Sequence, residues 1–138
     1  MGKMKEIEWY FDFLSPYAYF GFKKLAELPD KVNVNFRPVL LPALFQHHDT
    51  KGPAEIETKR IFTYRHSVWV AKELGIAFRL PPKHPFPPVL VLRLAIALGS
   101  LPGPIETIFD HIWQCGKDIG DSEGWSSLMG KLAVSDGE

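Results

Sequence analysis

The chain has 138 residues, 46% apolar and 23% charged, a composition that suits one soluble globular unit able to bury its own core. Sixteen Lys and Arg offset sixteen Asp and Glu, so no overall field favours capture of nucleic acid or of an anionic membrane. The single cysteine, Cys115, excludes an internal disulfide and fits a reducing compartment.

Nothing in Met1 to Glu6 has the apolar run of a secretory signal, and Val89 to Leu101 is too short to span a bilayer and is broken by Arg93. The expectation is a cytoplasmic protein with no membrane partner. Ile7, Trp9, Phe11 and Phe13 alternate with Glu6, Glu8, Tyr10 and Asp12, the period of a strand. Ala18, Phe22, Leu25 and Leu28 then recur at helical spacing, with Pro29 as a stop. Val32, Val34 and Phe36 restore the alternation up to Pro38. A helix joining two strands predicts β-α-β with a parallel pair.

Beyond Pro42 the chain reads as helical. A long helix is predicted over Glu55 to Leu74, with Ile61, Tyr64, Val68, Ala71 and Leu74 on one stripe and Gly75 as its stop. "FRLPPKHPFPP", Phe78 to Pro88, is a stiff connection. Val89 to Leu98 reads as a buried helix, and Ile105 to Trp113 and Trp125 to Leu132 as two more. Trp69, Trp113 and Trp125 read as packing residues, and His66, His84 and His111 as isolated surface or structural histidines. The adjacent His47, His48 and Asp49 would not converge on a metal, and no second cluster has ligand spacing, so no metal is expected.

The stretch "FDFLSPYAYF", Phe11 to Phe20, carries the chemistry. Ser15 before Pro16 suits a helix N-cap and first helical position, which is the simpler reading. The same geometry also favours an anion. A helix start contributes roughly 0.3–2 kcal/mol to a nearby charge, and a hydrogen bond to a charged group roughly 1.5–3 kcal/mol. An ordinary thiol titrates near about 8.5, and these effects together would bring a bound thiol towards neutrality. Ser15 would then be a stabiliser of another molecule's sulfur.

"WYFDFLSPYAYFGF", followed by "VNFRPVLLPALF", "KGPAEIETKRIF" and "LRLAIALG", resembles the 2-hydroxychromene-2-carboxylate isomerases, relatives of the kappa-class glutathione transferases within the DsbA and thioredoxin-like superfamily. The resemblance runs from about Ile7 to about Leu132. It implies an α/β fold in which residues 1–40 form a thioredoxin-like β-α-β half and residues 41–138 a helical insertion, one structural domain overall. It also implies glutathione as cofactor, its sulfur beside Ser15, where relatives with redox activity have the first cysteine of Cys-Pro-x-Cys. Ala18 stands at the second cysteine position, so dithiol chemistry is not expected.

The implied reaction interconverts 2-hydroxychromene-2-carboxylate and trans-o-hydroxybenzylidenepyruvate by reversible thiolate addition. Its partner is a small aromatic hydroxy-carboxylate, with a homodimer left open. Lys59 matches the family lysine placed near the carboxylates, and Thr50 stands where relatives have an asparagine. Pro87 of "HPFPP" likewise replaces an asparagine. Phe13 and Tyr17, with Trp9, would border an aromatic substrate near Ser15. The family's fold is completed by a later β-β-α unit, whereas this sequence ends at Ser135-Asp136-Gly137-Glu138, so the resemblance predicts that this unit is missing. Two further readings stay open: a kappa-like glutathione transferase, and a noncatalytic fragment or interaction module.

Overall fold

The computed structural model describes residues 2–133. Strand β1 (Lys5–Phe11) is followed by helix α1 (Pro16–Leu25) and strand β2 (Val32–Pro38). The two strands pair in parallel from Lys5 against Val32 to Phe11 against Pro38. This is the β-α-β arrangement that the alternating pattern predicts. Among the described residues the sheet has these two strands. Helix α1 buries Pro16, Tyr19, Phe20 and Phe22 and ends at Leu25, so Leu28 lies beyond it and is partly exposed.

The helical part contains α2 (Leu41–His47), a single 3-10 turn (Pro53–Glu55), α3 (Glu57–Leu74), α4 (Val89–Ala97), α5 (Pro102–Phe109) and α6 (Ser122–Leu132). A π-helical turn, Asp110–Gln114, extends α5. Residues 134–138, the last part of the predicted 41–138 segment, lie outside the described residues. No helix among those described is long and apolar enough to cross a membrane.

The long helix differs from its expected form. It starts at Glu57, after the separate turn, and ends as predicted on Gly75, whose left-handed φ of 64° suits glycine. Of its predicted apolar stripe, Ala71 is buried and the rest is not. Ser67 and Ala71 are buried, while Ile61, Val68 and Leu74 are partly exposed and Trp69, expected to pack, is 57% exposed.

The core lies between the sheet, α1 and the α5 region. Trp9 stacks on Phe11 at 4.9 Å, and Phe13 packs on Phe109 at 4.7 Å. Ile105, Ile108, Ile112 and Trp113 are fully buried beside them. The α5 extension therefore covers the end of β1, where the chain turns into Ser15.

Candidate functional site

The three residues before Ser15 are held by hydrogen bonds, Asp12 through its own carboxylate and Phe13 and Leu14 through distant side chains that meet their carbonyls. Asp12, buried at the end of β1, accepts hydrogen bonds from Leu14 N at 3.1 Å and from Leu41 N at 2.8 Å. It thus ties the loop before α1 to the start of α2. Burial raises its pKa, and the hydrogen bonds from Leu41, Leu14 and Phe13 act against that rise. The Phe13 carbonyl accepts the Trp113 indole N–H at 2.8 Å. The Leu14 carbonyl lies 2.7 Å from His84 Nε2.

Ser15 caps α1, its Oγ accepting from Ala18 N at 3.3 Å. A hydroxyl that accepts through one lone pair still has its own hydrogen to donate. Pro16 occupies the first helical position and carries no N–H, Ala18 N is taken by the cap and Tyr19 N by the Ser15 carbonyl at 3.3 Å, which leaves Tyr17 N as the donor of the first turn. This end of α1 opens on a cavity of about 740 Å³. Leu14, Ser15 and Tyr17 form one wall, Phe45, Gln46 and Thr50 part of another, and His84 and Phe86 a third. Lys51 and Glu55 supply the charged groups of the lining, and Glu55 Oε2 is already engaged by Gly52 N at 2.7 Å.

The structure brings Ser15, Tyr17 and Thr50 to one cavity and leaves Phe13 and Lys59 out of its lining. Phe13 is fully buried in the aromatic core. Lys59 is exposed on α3, one turn before Thr63, which does line the cavity. Trp9 belongs to the core. Tyr17 holds its hydroxyl 2.8 Å from His66 Nδ1 and keeps an exposed edge.

His84, Gln46 and Lys51 are lining residues that sequence reasoning missed. His84 had the best signal, because it sits within the proline-rich connection and a stiff segment can hold a side chain in place. Cys115 lies outside the cavity lining, with Lys131 Nζ 3.8 Å from its sulfur.

Residues 6–138 match the DsbA-like thioredoxin domain family. The chain belongs to that family. This DsbA-like domain is 30% identical over 84 residues to glutathione S-transferase kappa 2 of Caenorhabditis elegans, a match that covers 59% of the chain and 37% of that relative. A solved structure of 2-hydroxychromene-2-carboxylate isomerase superposes on it with a TM-score of 0.76 at 16% identity. That superposition covers 94% of this chain and 66% of the isomerase. The DsbA-like domain therefore spans part of the length of both relatives, and the family match and the superposition bear out the thioredoxin-like fold that the resemblance implies.

Proposed function

We propose that this domain holds glutathione with its sulfur at Ser15 and acts as an isomerase that interconverts 2-hydroxychromene-2-carboxylate and trans-o-hydroxybenzylidenepyruvate. The observation that carries the reading is the placement of Ser15, a helix N-cap whose hydroxyl faces a largely apolar cavity. The donor set fits the cofactor: Ser15 retains an O–H to give, and the α1 terminus favours an anion. Glutathione, when bound, supplies the nucleophilic sulfur for reversible addition to the substrate's enone.

The chain's own residues do the rest. Ser15 stabilises negative charge on sulfur, and the walls built from Leu14, Phe45 and Phe86 accept an aromatic ring and exclude water. Lys51, in the lining, and Lys59, at the neighbouring turn of α3, are the cations available to a carboxylate. Thr50 is a further cofactor contact from the same lining.

The identity to a kappa-class transferase favours a second reading, transfer of glutathione to an electrophile, which uses the same sulfur site. Calorimetric titration of the 138-residue chain with glutathione, beside Ser15→Ala, tests the shared part. Binding tighter than about 1 mM, roughly 4 kcal/mol at the standard state, and weakened in the variant is expected. No binding by the folded chain would overturn both readings for this chain. Product analysis then separates them: conversion of the chromene carboxylate without consumption of glutathione is isomerisation, and a stable thioether from a generic electrophile is transfer.

A further inference from the structure

We infer that His84 is a positioning residue of the sulfur site, setting the Leu14–Ser15 peptide through its hydrogen bond to the Leu14 carbonyl. The inference rests on the reading of Ser15 as the donor to a thiolate. His84 and Ser15 lie 69 positions apart (84 − 15) yet line the same cavity.

The hydrogen-bond partners fix the placement of the ring. A carbonyl only accepts, so Nε2, 2.7 Å from Leu14 O, carries a hydrogen. Nδ1 pairs with the Tyr64 hydroxyl at 2.7 Å, whose single hydrogen is shared between Nδ1 and the carbonyl of His84 itself at 3.0 Å. Trp113 and Phe86 pack edge-on to the ring at 5.3 Å and 5.9 Å. Both nitrogens and the ring planes are therefore engaged, and the ring has one orientation available.

The peptide bond carries this constraint to Ser15. Leu14 O and Ser15 N share one rigid plane, so anchoring the oxygen also orients the amide from which Ser15 enters its extended φ of −97°. Asp12 holds the N–H of the same Leu14 at 3.1 Å, so the residue before Ser15 is clamped at both its polar groups. The engaged carbonyl is also kept from turning its lone pairs towards an anion beside Ser15. With the His84 donor removed, both the cap geometry and the local potential change.

The test compares His84→Leu, His84→Gln and Tyr64→Phe with the unaltered chain and with Ser15→Ala. The thiol of bound glutathione is titrated through its thiolate absorbance, and exchange of the Ala18 amide is followed by NMR without glutathione. His84→Leu is expected to lower the thiolate fraction at neutral pH about three- to tenfold, the size of one net hydrogen bond, and to speed Ala18 exchange. His84→Gln retains an N–H donor and should restore both readouts to within about twofold. Tyr64→Phe leaves Nε2 in place but frees the ring, giving a smaller change in the same direction.

A folded His84→Leu chain with unchanged thiol titration and unchanged Ala18 exchange overturns the inference. If His84→Leu does not fold, Tyr64→Phe decides by the same two readouts. A Ser15→Ala chain that titrates bound glutathione like the parent overturns the Ser15 reading, and the thiolate part of this inference with it. If the parent binds no glutathione, the functional reading fails, and Ala18 exchange alone decides whether His84 positions the cap.

Discussion

Two of the three walls of the cavity are built differently. The Leu14–Tyr17 wall rests on the core: Phe13 and Trp113 are fully buried behind it, and residues 12 to 14 are each held by a hydrogen bond from afar or to afar. The wall from α2 to the 3-10 turn is mostly exposed, α2 buries no residue, and its starting amide is held by Asp12. Chemistry that needs a fixed donor belongs on the first wall, because misplacement of reacting groups is costly. The second wall is where a substrate's shape is accommodated, and Thr50, Lys51 and Gln46 all sit there.

Perturbation of the fixed wall should have the largest effect. Trp113→Ala removes a fully buried indole and leaves the Phe13 carbonyl without its partner. A loss of about 3–5 kcal/mol is expected from urea unfolding, together with weakened glutathione binding. A wild-type midpoint would show that the core does not hold this wall.

Asp12, which joins the two walls, gives a smaller and pH-dependent effect. Its folded pKa is raised, chiefly by burial. The folded state therefore binds this proton more readily than the unfolded state, so this contribution is complete below the ordinary aspartate value of 3.8 and is lost as pH rises through the raised value. Asp12→Asn should flatten that segment of the stability-against-pH curve. An unaltered slope in the variant would assign the pH dependence to other groups.

The smallest change is expected on the adaptable wall. A Cβ at Gly52 would meet the Phe45 ring at 2.7 Å and displace it, but Gly52 has an ordinary φ of −67° and Phe45 is only half-buried. Gly52→Ala should alter stability by less than about 1 kcal/mol, since glycine replacement at a compatible backbone offsets part of the strain. A large loss would show the two walls to be equally rigid.

Much of the fold was legible in the sequence because its signals are local. Alternation gave the two strands, and Ser15-Pro16 marked the start of α1 through cap chemistry that needs no distant partner. The period of α3 predicted a helix but not its buried face, because periodicity does not say which side a neighbour occupies. Helix α2 was missed: Leu41-Pro42-Ala43-Leu44-Phe45 is apolar with no clear period. The site was legible at Ser15 for the same local reason. His84 was not, because its role depends on a carbonyl 70 residues earlier, which no local pattern encodes.

That separation has a consequence for how the protein is made. The Trp113 indole reaches back 100 residues to the Phe13 carbonyl. A ribosome delivers Ser15 early and Trp113 much later, so the nascent β-α-β segment must wait, its loop unsupported, for the piece that braces it. Closing so long a loop adds entropy cost and slows folding. Local cap formation at Ser15 can precede this step, but the complete wall cannot. The braced wall thus needs Trp113, 100 residues after the Phe13 carbonyl that it holds.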